Sequence, residues 1–406
     1  MEKKDIKTLE KYISDYYEKV TADNAQQCME NFDENWKQVV EYPDDDTPKR
    51  QSKYGLALVI LTAAYFESSA SKEKDIIRLS KLIYEYDSND NVKYKFGVKQ
   101  TLFFNLGLCW HKLGTRYDEN AVSAFKKYLF YLLAKSNNNS FANLSSFAFR
   151  KCNEYLYKSL IKEQLNLSSP SEFNDPFDCP ILVLLKMYED DVNELILKAY
   201  NDSLKVSCFM RNIKLLPEKD EKENWITDDN GNPIYKKKHD LDADEYLNGL
   251  MWAHYADFHK GICIKYHFNE KMTNMIVDSD KIISYFKDIK YSDEDMSKYS
   301  NKDSISVEYS FFLKGKNWEY ENELRYLYFD IDGTGKHKQI DIPNCIEAVY
   351  FGVKCSQADR DTIMKILKDQ KLITYDLQDN RTEKDIEFYQ IEIDMKHFGQ
   401  LNAVKL

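Results

Sequence analysis

Residues 135–140, Lys-Ser-Asn-Asn-Asn-Ser, are the stretch on which the reading of the fold turns. Small and amide-bearing side chains in a row suit a connection rather than a helix or strand interior. The hydrophobic pattern differs on its two sides. Before it, 56–66 (LALVILTAAYF) is an apolar run, and 75–86, 101–113 and 121–133 repeat apolar residues every three or four positions, the period of a helix. After it come short strand-like segments at 145–150, 165–168, 204–209, 261–268, 282–286, 317–329, 346–351 and 386–394, with helical patterns at 153–163, 180–199 and 357–370. The expected fold class is therefore α+β. An all-α helical-hairpin region (1–135) leads through a linker (136–144) into a mixed α+β domain (145–406), which carries a charged insertion at 217–245.

Composition narrows the class. The chain has 406 residues, 43% hydrophobic and 14% aromatic, enough for real cores. A net charge of −11 argues against non-specific nucleic-acid binding. No apolar run approaches the length of a membrane span and no leader is recognisable, so a cytoplasmic protein is expected. The eight cysteines form no CxxC pair, and His254 and His259 do not align on one helical face, so reduced thiols are expected and no metal site.

Within the helical region, Leu106-Gly107, Trp110, Leu113-Gly114, Tyr117, Ala121, Ala124-Phe125 and Tyr128 resemble a tetratricopeptide repeat. The preceding hairpin does not keep that repeat's spacing of about 34 residues, so an irregular array is expected, with a plain bundle as the alternative. Either would suit a protein partner.

Four dispersed motifs follow in the second region. They are Ser169-Pro170-Ser171-Glu172-Phe173-Asn174-Asp175-Pro176-Phe177-Asp178, then Trp252-Ala253-His254-Tyr255-Ala256-Asp257 running on to His259-Lys260-Gly261, then Trp318 to Arg325 (WEYENELR), then Val349-Tyr350-Phe351-Gly352. In this order they resemble a family catalogued as domain of unknown function 2971, over about residues 145–370. Where the family has an aromatic-Lys-aromatic-Arg strand, this chain has Phe147-Ala148-Phe149-Arg150, keeping the Arg and replacing the Lys.

Arg150, then Ser207, then Glu321-Asn322-Glu323 resemble in order the Arg, Ser and Glu-x-Glu of ADP-ribosyltransferases. That resemblance implies NAD as substrate. Breaking the nicotinamide bond builds positive charge on the ribose, as glycoside cleavage does. Glu323 is the candidate to hold the ribose 2′-hydroxyl, Glu321 to orient or deprotonate an acceptor, Arg150 to bind ribose or phosphate, and Ser207 to support the strand or Glu323. Phe173 and Phe177 are candidates to stack on a ring, and Asn174 and Asp175 to hydrogen-bond a carboxamide or cap the turn. His254 is a candidate proton carrier or a packing residue, with Trp252 and Tyr255 beside it grouped as binding residues. Arg325 would either form a surface ion pair or keep a buried Glu ionised.

The function expected is an NAD-using effector enzyme, of the kind found in toxins or antiviral defence, with the helices binding a partner and the acceptor unspecified. A metal-dependent nuclease or hydrolase using Asp175, Asp178, Glu321, Glu323 and His254 is the first alternative. A non-enzymatic interaction module is the second. No GxGxxG, Walker or GxSxG motif is present.

Overall fold

The computed structural model describes residues 2–40, 48–69, 71–89, 95–135, 144–173, 175, 178, 190–211, 215–217, 235–237, 248–268, 276–278, 281–293, 300–301, 304–305, 311–375, 380–397 and 399–406. Among the described residues six helices come first: α1 (Glu2–Tyr16), α2 (Ala25–Val40), α3 (Pro48–Glu67), α4 (Glu73–Asp87), α5 (Phe96–Lys112) and α6 (Asp118–Lys135). The four periodic segments fall on α3 to α6.

The tetratricopeptide-like residues form the α5–α6 hairpin. A Cβ added at Gly107 would lie 2.5 Å from the Phe125 ring, so the close approach of the two helices requires a hydrogen there. Gly114 turns the chain at φ 104, and Trp110 packs on Tyr117 with ring centroids 5.5 Å apart. Gly107→Leu is expected to overpack this contact and lower the unfolding free energy by about 1–3 kcal/mol, read as a lower urea midpoint at unchanged slope.

Among the described residues four more helices accompany the sheet: α7 (Glu154–Lys162), α8 (Asp190–Ser203), α9 (Gly249–Tyr255) and α10 (Gln357–Leu367). The sheet has eleven strands. In chain order they are β1 (Leu144–Arg150), β2 (Gln164–Ser168), β3 (Leu204–Arg211), β4 (Ile262–Phe268), β5 (Ile276–Asp278), β6 (Ile282–Asp288), β7 (Glu323–Asp330), β8 (His337–Asp341), β9 (Ile346–Phe351), β10 (Glu387–Ile393) and β11 (Leu401–Lys405). Their spatial order is β11-β10-β9-β4-β1-β3-β7-β6-β5, with β2 joining β3 and β8 joining β2. All pairings are antiparallel except β9 with β10.

Alternation along each strand sends side chains to opposite faces. On one face Phe209, Ile262, Ile264, Leu324 and Tyr326 pack under α7 and α10. The other face carries two separate apolar clusters. Leu204, Val206, Leu327 and Phe329 join the core of the N-terminal helices, while Phe147, Phe149 and Met210 pack with Met251 and Trp252 of α9. The helical region thus shares one core with part of the sheet.

The expected strand at 317–329 is interrupted. Lys316–Glu321 form a 3-10 turn, Asn322 takes φ 42, and the strand starts at Glu323. Asn tolerates this left-handed conformation better than most residues, which lets it end the turn. Of the helix expected at 180–199, only the part from Asp190 lies in the described residues, and most of the charged insertion falls outside them. Among the described residues no helix is long and apolar enough to cross a membrane.

A candidate active site at a split in the sheet

β1 pairs with β4 along its whole length, from Leu144↔Phe268 to Arg150↔Ile262. On its other side it pairs with β3 only at Ser146↔Arg211 and Phe147↔Met210. Continued, that register would set Arg150 opposite Ser207, but the strands have parted by then. β2 meets the same strand at Ser168↔Val206. The sheet therefore opens beside Ser207, Cys208 and Phe209. A cavity of about 430 Å³ occupies the opening, walled by Arg150, Ser207, Cys208, Tyr255, Glu321 and Glu323 among others. This size suits a small-molecule site.

Arg150 and Ser207 lie on the face of α7 and α10, and Arg150 Nη2 donates to Ser207 Oγ at 3.4 Å across the split. Gly261 fixes the end of β1, since a Cβ there would sit 2.2 Å from the Arg150 carbonyl oxygen. Glu323 lies on the opposite face. The two faces share one cavity only because the strands separate. Ser207 therefore faces away from Glu323, which leaves support of the strand as the expected role that the geometry allows. On β3 Glu323 pairs with Met210, and its side chain reaches diagonally to the Cys208 thiol, which lies in hydrogen-bonding contact with it.

On that second face, between the two apolar clusters, sits a buried charge network. Lys314 Nζ reaches Glu321 Oε2 at 2.6 Å, Glu323 Oε2 at 3.1 Å and Asp178 Oδ2 at 3.2 Å. Arg325, 0% exposed, donates Nε and Nη2 to Glu323 Oε1 at 2.9 and 2.7 Å, Nη2 to Asp178 Oδ1 at 2.8 Å, and Nη1 to the Phe311 carbonyl at 2.9 Å. Two cations face three carboxylates. Arg325 is thus the buried partner of a Glu rather than half of a surface pair.

The two glutamates differ in state. Burial penalises the Glu323 carboxylate, but Arg325 and Lys314 outweigh it and hold the group at about 2. Its oxygens accept from Arg325, Lys314 and the Cys208 thiol, which fills most of a carboxylate's acceptor sites. Glu321 is different. Burial raises it above the ordinary carboxylate range despite Lys314. It accepts from Lys314 and from the Tyr255 hydroxyl, which leaves acceptor sites open.

The rings of the opening loop divide. Phe173 walls the cavity and lies under the Arg325 guanidinium, 5.3 Å from Cζ to the ring centroid. It both anchors the loop and faces the opening. Asn174 and Phe177 lie outside the described residues, and Asp175 is not part of the cavity wall, its carbonyl accepting from Asp178 N at 3.1 Å. Trp252 is fully buried edge-on to Phe149, a packing residue. His254 is exposed and off the cavity wall. Met251, Trp252 and Tyr255 form the inward face of α9, and His254 points about 110° away from its centre.

Lys314 escaped the sequence reading. Its signal is a lone cation closing the apolar run Phe311-Phe312-Leu313, where only a paired charge can be buried.

Residues 251–326 match the family described as a protein of unknown function (DUF2971), the family resembled by the sequence motifs. The matched stretch holds Tyr255, Lys314, Glu321, Glu323 and Arg325, and Arg150 and Ser207 precede it. No curated protein and no solved structure matches the chain.

Proposed function

We propose that this DUF2971-family chain binds NAD in the split between β1 and β3 and breaks its nicotinamide–ribose bond, by hydrolysis or by transfer to an acceptor. The observation that carries the reading is the convergence of Arg150, Ser207, Glu321 and Glu323 on one cavity from three neighbouring strands and the turn before the last of them.

In this chemistry the bond from ribose C1′ to the nicotinamide nitrogen breaks, and its electron pair neutralises the pyridinium. Positive charge grows on the ribose, and the Glu321 carboxylate on the cavity wall favours it. The acceptor O–H or N–H bonds to C1′ and gives its proton to Glu321. With spare acceptor sites and a raised affinity for protons, Glu321 suits that role better than Glu323. Glu323 stays ionised and holds Arg325 and Lys314 in place. Arg150, held by Ser207, offers its fork to a phosphate or a ribose hydroxyl.

The hydrolase alternative needs carboxylates free to hold a metal ion. Asp178, Glu321 and Glu323 do converge, but on the Lys314 ammonium, which already fills the point where their oxygens meet. The helical layer shares its core with β3 and β7, so a partner bound there could act on the cavity, as an effector role requires.

The test is nicotinamide release from NAD by the purified protein, with and without cell extract as acceptor. Arg150→Ala is expected to raise KM for NAD at least tenfold, with a smaller change in kcat. Absence of release under both conditions, together with no NAD-induced thermal shift, overturns the reading.

A further inference from the structure

A second cluster lies outside the cavity, where the end of β1 meets the start of α10. Cys152 Sγ, Cys355 Sγ and a carboxylate oxygen of Asp359 all lie within 4.8 Å of one another. The fold, not the sequence spacing, brings them together. Cys152 follows Arg150 by two residues and precedes Asn153, the N-cap of α7. Cys355 sits in the loop after β9, and Asp359 in the first turn of α10. The absence of a CxxC pair therefore says nothing about this site.

The carboxylate is held in place. Asp359 Oδ1 accepts from the Tyr157 hydroxyl at 2.5 Å and Oδ2 from Ser356 Oγ at 2.6 Å. Such outer hydrogen bonds orient a ligand before the ion arrives. The two thiols lie side by side, within the 4.8 Å spread of the cluster. Cys355 also walls a second cavity of about 400 Å³, shared with Val353, Arg360, Gln390 and Ile391.

We propose that Cys152, Cys355 and Asp359 bind a thiophilic divalent cation of the zinc class, with a fourth position open to water. Two thiolates and a carboxylate match the donor preference of zinc and are too soft for calcium or magnesium. Tetrahedral zinc with its usual bond lengths places its donors about 3.5–3.8 Å apart, inside the observed spread. Binding releases the thiol protons. The ion would tie the end of β1 and the start of α7 to α10. Lys151 and Asn153, on either side of Cys152, wall the cavity between β1 and β3, so the ion would also steady that wall.

The test uses reduced, full-length protein titrated first with Co²⁺ and then with Zn²⁺. One equivalent of Co²⁺ is expected to give thiolate-to-cobalt charge-transfer absorption, which Zn²⁺ displaces, and Zn²⁺ is expected to raise the melting temperature. Cys152→Ser and Cys355→Ser are expected to abolish the absorption, and Asp359→Asn to weaken binding at least tenfold. Melting each metal-free variant separates lost binding from lost folding, and Asp359→Asn keeps the test open should a cysteine variant unfold. Three results overturn the proposal: no charge-transfer band in the native protein, an undiminished band in the Cys355→Ser variant, or a chain isolated with Cys152 and Cys355 joined as a disulfide. None depends on NAD chemistry, so this inference and the proposed function fail separately.

Discussion

Glu321→Gln is expected to lower the rate of NAD cleavage by about 10²–10⁴-fold, the usual contribution of a positioned acid–base group, while leaving the fold and NAD binding largely intact. The amide oxygen of Gln can still accept from Lys314, and its NH2 can donate to the Tyr255 hydroxyl, which turns to accept, so the network keeps its shape. What is lost is the capacity to take a proton. Glu323→Gln is expected to behave differently. It removes a charge wedged between Arg325 and Lys314, so its main effect is on melting temperature, with activity falling as a consequence. Measuring kcat and the melting temperature for both variants separates the two glutamates. Equal loss of kcat with equal stability would sink the assignment of the proton to Glu321. A pH profile gives a further check. Burial raises Glu321, so the base form is lost as pH falls through a value above the ordinary carboxylate range. The acid limb of kcat/KM is expected there, and Glu321→Gln is expected to remove it.

Much of the fold was legible because periodicity reports burial. The helices of 56–133 and the strands at 145–150, 204–209 and 346–351 each bury a face; the strands appear within a few residues of their expected ends, while the helices holding 56–66 and 101–113 start earlier, at Pro48 and Phe96. β8 and β11 gave no signal, since their residues are largely exposed and lack apolar alternation. The site was legible only as a set of residue types. Arg150, Ser207, Glu321 and Glu323 could be named from their order, but that Ser207 and Glu323 face opposite ways depends on the register of β3 against β7. That register sets Ser207 opposite Tyr326 and Cys208 opposite Arg325. Nor could spacing reveal the interruption at Asn322, the seating of Lys314 beneath three carboxylates, or the meeting of Cys152 with Cys355. Each is a long-range consequence of packing, and local patterns carry no record of it.

Arg325→Met is expected to be the most destabilising single change in the α+β domain, by about 3–5 kcal/mol at neutral pH, because it breaks a buried pair and leaves the partner charge behind. Methionine fills similar volume without a cavity, so the loss reads out electrostatics rather than packing. Four donations end at once: two to Glu323, one to Asp178 and one to the Phe311 carbonyl. Lys314 alone then faces three carboxylates. Arg325→Lys restores the charge without the planar fork, and is expected to recover only part of the loss. The pH dependence fixes the mechanism. In the native protein the Glu323 carboxyl is held at about 2, below its unfolded value, so its contribution to stability is present above the unfolded pKa and lost as pH falls towards 2. In the Met variant burial is opposed by Lys314 and the Cys208 thiol without Arg325, and Glu323 takes up its proton at higher pH. The gap in stability between the two proteins is therefore widest at neutral pH and narrows on acidification, as native and variant chains both come to carry a neutral carboxyl. Urea melts at a series of pH values measure this directly. A gap that stays constant with pH would show that Arg325 acts through packing, and the charge network would then lose its claim to hold the cavity wall.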